Sequence, residues 1–354
     1  MDSVTGSREG IDSTSKDEAG LRPGSDLPET MRAIVYERYG APDVLELQVV
    51  DKPAVGVDDV LIRVRAASVN PYDWHFMRGE PVIARPQLGG LRKPGKDTRL
   101  GVDVAGEVVM VGSNVQEFRQ GDHVFGACTG SFAEYAIARE SSLVLKPANV
   151  PFEQAGAVGI AAFTAIQSLR DWGQIQPGHK VLINGAAGGV GTYAVQLAKV
   201  WGAEVTAVCS TRNVDMVRSI GSDHVVDYTK GDFTLGTQRY DLMIDIIGNH
   251  SLSRTRRVLV PKGILVMVGG PKGRWIKPLD RLLRALVSSP FVSQKMVSRT
   301  AVWSKKDLVL MRELMEEGKV RAVIDRTYPL SDVAEAVRYL EEGHARGKVV
   351  ITVA

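Results

Sequence analysis

Apolar positions along this chain follow one rhythm up to about residue 150 and another beyond it. In the first stretch they come as short runs and alternations. Ala33-Ile34-Val35-Tyr36 reads as a strand, and Val44 to Val50 alternates as a half-buried strand does. Val60-Leu61-Ile62-Arg63-Val64-Arg65-Ala66, Gly106 to Gly112 and His123 to Gly126 follow, divided by turn residues such as Gly121-Asp122. This spacing predicts a β-rich unit reaching about Pro147. Beyond it, strands alternate with helices. Pro151 to Leu169 reads as one helix with Thr164 inside it, and Lys180 to Gly185 as a buried strand. A glycine-rich turn leads into a helix from about Gly189 to Trp201. Strand Glu204 to Ser210, helix Val214 to Ile220, and strands His224 to Tyr228, Tyr240 to Ile247 and Gly263 to Gly269 continue the pattern. Such alternation predicts βαβ units and a parallel sheet. A helix at Asp307 to Gly318, another ending near Gly343, and a strand at Gly347 to Val353 are expected to return to the first unit.

Length and composition narrow this picture. The 354 residues suit two domains at roughly 150 residues each. Met1 to Thr30 is rich in Asp, Glu, Ser, Gly and Lys and is expected to be a disordered tail. The expected domains are therefore the tail (1–30), a β-rich part (31–150), an α/β unit (151–300) and a return segment (301–354). The tail lacks the apolar segment of a secretory signal, and no apolar run approaches the roughly 20 residues of a membrane span. A net charge of +3 gives no argument for nucleic acid. The two cysteines, Cys128 and Cys209, have no neighbour at metal-ligand spacing and read as small buried hydrophobes. Together these features predict a cytoplasmic protein with no metal.

The most informative stretch is Asn184-Gly185-Ala186-Ala187-Gly188-Gly189-Val190-Gly191, which follows a strand and opens a helix. Small residues let the backbone approach a pyrophosphate, and the helix N-terminus offers free N–H groups. The end of the next strand chooses the cofactor. NAD enzymes place an acid there for the ribose 2′-hydroxyl. This strand runs instead into Ser210-Thr211-Arg212-Asn213, whose hydroxyls and guanidinium suit a 2′-phosphate. NADPH is the expected cofactor.

Four segments together resemble the medium-chain dehydrogenase/reductase superfamily: Ser68-Val69-Asn70-Pro71-Tyr72-Asp73, Gly101-Val102-Asp103-Val104-Ala105-Gly106, Asn184 to Gly191 and Gly347-Lys348-Val349-Val350. Within it the chain is most similar to the quinone oxidoreductase branch, which includes ene-reductases. The resemblance spans Met31 to Ala354. It implies an α/β protein with a GroES-like β-rich catalytic domain, interrupted by a Rossmann domain with a doubly wound parallel sheet. It also implies a cofactor between the two and a homodimer. By matching positions, Tyr228 joins Ser210 and Arg212 near the 2′-phosphate. Ile247-Gly248-Asn249 and Val268-Gly269-Gly270 border the nicotinamide half. Thr164 belongs to the same cofactor set, and Asn70 is expected near the nicotinamide ribose and substrate. Lys348 is expected as a cofactor contact or as a surface lysine at a strand end.

The departures point to the chemistry. Zinc enzymes of the superfamily carry an early cysteine and a Gly-His-Glu motif. Here Asn70-Pro71-Tyr72-Asp73 and Gly101-Val102-Asp103 stand in those regions, and the four-cysteine structural lobe is missing. A catalytic zinc needs about three protein ligands. Without a Lewis acid, hydride transfer requires an acceptor that is already electron-poor, namely a small apolar quinone or α,β-unsaturated carbonyl. Candidate catalytic groups are Asn70 as oxyanion donor, and His75 or Tyr72 as proton donor. Water is the alternative donor, with His75 then a packed side chain. Enoyl thioesters are an alternative acceptor, and a non-catalytic NADPH-binding sensor is the reading outside enzymology. Between Arg254 and Lys306 basic residues outnumber acids, with Trp275, Leu282, Leu283 and Phe291 interleaved. That segment reads either as a lid or acyl-CoA or membrane contact, or as a solvated helix face beside a dimer interface.

Overall fold

The computed structural model describes residues 27–354 except 81, 83–84, 86–89, 96–97 and 270–292. Residues 1–26 of the predicted tail, Gly270 and the centre of the basic segment lie outside the described residues, while Thr30, expected in the tail, opens the first strand. The first unit opens with β1 (Thr30–Val35), β2 (Glu46–Asp51), β3 (Asp59–Val69), α1 (Pro71–Arg78), β4 (Asp103–Val111), β5 (His123–Ala127), β6 (Tyr135–Arg139) and β7 (Leu143–Leu145). Then come α2 (Phe152–Gly156), α3 (Gly159–Gln167), β8 (Lys180–Asn184), α4 (Gly189–Val200), β9 (Glu204–Cys209), α5 (Val214–Ser219), β10 (His224–Asp227), β11 (Tyr240–Asp245), α6 (Leu252–Arg257), β12 (Leu259–Met267) and β13 (Lys295–Val297). The chain closes with α7 (Lys305–Glu316), β14 (Ile324–Pro329), α8 (Val333–Glu341) and β15 (Lys348–Thr352). Among the described residues no helix is long and apolar enough to cross a membrane.

Strands β8 to β13 form one parallel sheet in the order β10-β9-β8-β11-β12-β13. This is the doubly wound order, with its reversal between β8 and β11. A second, mostly antiparallel sheet runs β14-β15-β3-β4-β5-β7, with β6 also paired to β3. Strand β15 lies between β14 and β3, pairing Val349 with Val69 and Val350 with Ser68. Its period-two alternation serves two cores. Val349, Ile351 and Val353 pack with β3, β4 and α8, whereas Val350 packs with α3, α4 and the parallel sheet.

Three expectations change. The alternation of Val44 to Val50 does not bury one face. Strand β2 pairs only with β1, and Val49 remains 70% exposed. The single helix expected over Pro151 to Leu169 is broken into α2 and α3 at Ala157-Val158, and ends in a π-turn over Ser168–Trp172. The break has a polar cause. It starts a new helix at Gly159, where the Ile160 N–H donates to the buried Asp103 carboxylate at 2.9 Å. A β-carbon on Gly159 would lie 1.7 Å from Asp103 Oδ1, so only glycine fits. Finally, residues 71–78 form a helix that apolar periodicity alone did not mark. Asn70 precedes it, and the Asp73 side chain reaches back to accept the Asn70 N–H at 2.8 Å.

The two sheets are joined where β15 begins. Gly347 N donates to Ala187 O at 2.8 Å in the glycine-rich turn, and Gly347 bridges to Gly188. Gly347 has φ +83°, and a β-carbon there would lie 2.1 Å from Val323 O. Replacement Gly347→Ala should therefore destabilise the protein by roughly 2–4 kcal/mol. A clear fall in thermal midpoint is expected, and an unchanged midpoint would contradict this account of the junction.

Candidate active site

The turn Gly185–Gly188 carries the chain from the carboxyl end of β8 into α4. The residue capping α4 is Gly188, so no side chain occupies the first free N–H groups of the helix. A β-carbon on Gly191 would lie 2.2 Å from Gly185 O, which forces the close turn. Ala186 and Ala187 are buried beneath, while Gly185, Gly188, Gly189 and Val190 stay partly open at the rim. Asn184 Nδ2 donates to Asp245 Oδ1 at 2.8 Å and to Asn249 Oδ1 at 3.0 Å. Gly248 N donates to the same Asp245 oxygen at 3.0 Å. Val268 N and Gly269 N reach Asp245 O. The structure thus gathers Gly185 to Gly191, Ile247 to Asn249, Val268 and Gly269 at the carboxyl ends of β8, β11 and β12. That is the switch-point crevice of a doubly wound sheet, and its bare helix end and close-packed glycines fit a dinucleotide pyrophosphate. Thr164 lies in α3, half-buried, with its hydroxyl donated to Ile160 O at 2.7 Å.

At the end of β9, Ser210 starts a short turn over Thr211–Asn213 and accepts from Asn213 Nδ2 at 3.1 Å. Tyr228 N donates to Cys209 O at 3.0 Å, which brings Tyr228 beside this turn, with its side chain exposed. The Arg212 guanidinium donates to His344 O, linking the turn to the return segment. No acid ends β9, as expected, but one comes from the neighbouring strand. Asp227, at the end of β10, accepts from Thr211 Oγ1 at 2.6 Å. Thr229 also donates to it, and Lys230 lies 3.6 Å away. The Thr211 hydroxyl, ahead of Thr229 and Lys230, holds its carboxyl down to about 2. Attention to the second strand alone missed it; the acid comes from the third, and pairing of β9 with β10 makes them neighbours.

A knot of buried polar side chains lies on the other side of the cradle. Ser68 at the end of β3, Asn70, Asp73 in α1, Asp103 at the start of β4 and Lys348 at the start of β15 are all nearly sealed from solvent. Lys348 is 3% exposed, which removes the surface-lysine reading. Its ammonium donates to Asn70 Oδ1 at 2.6 Å and lies 3.5 Å from Asp103 Oδ2. Its stem passes the cradle, because a β-carbon on Gly189 would lie 3.1 Å from Lys348 Cδ. Asn70 Nδ2 donates to Ser68 O at 3.2 Å and Asp103 Oδ2 at 2.9 Å. Both amide hydrogens are thereby engaged, so the oxyanion role expected for Asn70 requires one of these bonds to open. Sequence reading used Asp103 in a family motif and to note a missing zinc ligand, and gave it no role in the site. The available signal was a carboxylate between Val102 and Val104 in a mostly apolar strand.

The proton-donor candidates stand on α1. Tyr72 is 38% exposed and its ring lies against Phe76. Burial, with Asp73 beside it, pushes its phenol up to about 12, so it keeps its proton at neutral pH. His75 stacks on Trp74 with ring centroids 3.6 Å apart. Its Nδ1 lies 2.9 Å from Glu80 O, and a carbonyl can only accept, so Nδ1 carries a proton.

These residues do not fit a catalytic zinc ion. Val102 offers no ligand atom, and among the described residues no group of three or more His, Cys, Asp or Glu side chains could hold a metal. The place next to Asp103 belongs to the Lys348 ammonium.

Comparison with known proteins gives the same outline. The family described as Alcohol dehydrogenase GroES-like domain matches residues 56–148, and that described as Zinc-binding dehydrogenase matches residues 220–351. The chain is 33% identical over 337 residues to the chloroplast envelope quinone oxidoreductase homolog of Arabidopsis thaliana, covering 91% of this chain and 98% of the relative. It is 35% identical over 341 residues to the chloroplastic NADPH-dependent alkenal/one oxidoreductase of the same plant, covering 92% and 80%. A quinone oxidoreductase structure from Coxiella burnetii superposes with a TM-score of 0.81 at 30% identity, covering 92% of this chain and 100% of that one. The chain belongs to the medium-chain dehydrogenase/reductase superfamily, in its quinone oxidoreductase and ene-reductase branch. The relatives' names overturn the cytoplasmic placement: these plant relatives are chloroplast proteins, and a mouse NAD(P)H oxidoreductase 31% identical over 385 residues, covering 94% of this chain and 92% of the relative, is mitochondrial. The expectation rested on a missing apolar signal segment and few cysteines. An organelle address is amphipathic and Arg-rich, so neither feature bears on it.

The knot makes a pH prediction. Burial pushes the Asp73 carboxyl up to about 7, against the Asn70 and Gly101 N–H bonds and Lys348, which pull it down. The folded protein then holds this proton at pH values where the unfolded chain, near 3.8, has lost it. Stability from this group is complete below about pH 4 and lost as pH rises through about 7. Asp73→Asn cannot ionise and loses one backbone acceptor. Its deficit in thermal midpoint should narrow between about pH 5 and pH 8. A deficit constant with pH would contradict the assignment.

Proposed function

We propose that the protein is an NADPH-dependent reductase that transfers hydride, without a metal, to a quinone or an α,β-unsaturated carbonyl. The observation that carries this is the meeting of the β8–α4 cradle with the Asn70–α1 segment, spanned by Lys348. NADPH, when bound, supplies the hydride. Gly185 to Gly191 receive the pyrophosphate at the head of α4. Ser210, Thr211, Arg212 and Tyr228 receive the 2′-phosphate; Asp227 is compatible with it because its charge is already engaged by two threonines and Lys230. Ile247 to Asn249, Val268, Gly269 and Thr164 border the nicotinamide half.

No side chain here can act as a strong Lewis acid, so the acceptor must be activated by its own conjugation. Hydride adds to the β-carbon of an enone and leaves an enolate, whose α-carbon then takes a proton. In a quinone, one hydride and one proton give the hydroquinone. Tyr72 is the proton donor in this reading, since its phenol stays protonated and partly open. Asn70 orients the site, and His75 supports α1 through Glu80. Residues 31–150 and 301–354 form the catalytic domain, residues 151–300 the cofactor domain, and two copies a homodimer. The names of the relatives support the acceptor class.

Steady-state NADPH oxidation with a panel of quinones, enones and crotonyl-CoA tests the reading. Turnover of quinones or enones is expected. Preference for the thioester would move the protein to enoyl reduction, and tight NADPH binding without turnover would make it a sensor. Arg212→Asp should lower the ratio of kcat/KM for NADPH over NADH by about tenfold or more. An unchanged ratio would refute the 2′-phosphate assignment.

A further inference from the structure

The Asp103 carboxylate is completely buried, and no step above uses it. Four donors converge on it. Ser68 Oγ lies 2.7 Å, Asn70 Nδ2 2.9 Å and Lys348 Nζ 3.5 Å from Oδ2, and Ile160 N lies 2.9 Å from Oδ1. These donors come from β3, the β3–α1 junction, β15 and the start of α3. Only a carboxylate accepts that many bonds; a carboxamide must present an N–H₂ group to one side.

The Asn70 amide shows what this controls. An amide has the same shape in both orientations, so its neighbours decide which end is oxygen. Asp103 demands N–H and Lys348 demands oxygen, and together they allow one orientation. We propose that Asp103 is a positioning residue for reduction: its carboxylate holds the Lys348 ammonium and the Asn70 amide in one arrangement between the phosphate-binding turn and the acceptor side of the site. This inference rests on the reductase reading above.

The charges around the ammonium support it. Facing Lys348 are Asp103 from β4, Asp73 from α1 and the neutral Asn70 amide. Cys128 and Tyr193, which face Asp103, are kept protonated by burial. Burial pushes the Lys348 ammonium down, and Asp103, followed by Asp73, opposes it. Loss of the Asp103 charge therefore lets Lys348 shed its proton at a lower pH.

The test compares Asp103→Asn with Asp307→Asn in the full-length protein. Asp307, near the start of α7, is an equally buried carboxylate that bonds Gln167 and Arg170 and no member of the knot. The Asp103 variant should lose about tenfold in kcat while KM for NADPH changes by less than about threefold. Its kcat should fall with rising pH, and should do so at lower pH than any alkaline fall in the parent. Adding Lys348→Met should abolish that slope. Asp307→Asn should lower the thermal midpoint and leave kcat and its pH profile unchanged. A Asp103→Asn variant with parental kcat, or with a pH-independent loss that tracks its thermal midpoint, overturns the proposal. If that variant does not fold, Asp103→Glu carries the test: a flat pH profile with reduced kcat supports positioning, and full kcat refutes it. Parent protein that binds NADPH and reduces no acceptor overturns the reductase reading and this inference with it. An active parent with an indifferent Asp103 variant overturns the inference alone.

Discussion

A lysine ammonium taken out of water loses several kcal/mol of hydration, and the loss must be met by fixed partners. Lys348 is in that position at the first residue of β15, with Asn70 Oδ1 and Asp103 Oδ2 as its partners. Asp103 in turn requires Ser68 and the Ile160 N–H. This small set of bonds fixes where four segments distant in sequence must meet. It accounts for the position of β15 against β3, for the start of α3 at Gly159, and for the glycine there. Removing one member would leave a buried charge without compensation, so the knot specifies the junction more than it adds stability.

The same junction brings the phosphate cradle and the acceptor side together. Gly347 holds the turn at Ala187, and the next residue sends its ammonium to Asn70. Arg212 lies on the turn after β9, and the Lys348 stem passes the head of α4. Asp227 and Asp103 are each tied to hydroxyl donors. In the proposed reduction, with Val102 where a zinc enzyme has a ligand, polarisation falls to the acceptor's own conjugation and to positioned hydrogen-bond donors.

Much of this was legible in the chain. The glycine-rich stretch between an apolar strand and a helix fixes the cradle, because only small residues allow its turn. Alternating strands and helices after residue 150 fix a parallel sheet. Ser210 and Arg212 drew notice because they follow the second strand directly. Local patterning failed where a strand lacks a partner for its apolar face, as in β2, and where a polar contact interrupts an apolar helix, as at Val158.

What the sequence alone determined is therefore local: periodicity, turn geometry and the presence or absence of particular functional groups. The tertiary structure decided which distant polar groups share one low-dielectric place. Asp103 and Lys348 are 245 residues apart, and nothing in the intervening chain marks them as partners. Likewise Asp227 reaches Thr211 only because β9 and β10 pair in register. Charge interactions act through space, and burial sets their strength, so both waited on the fold.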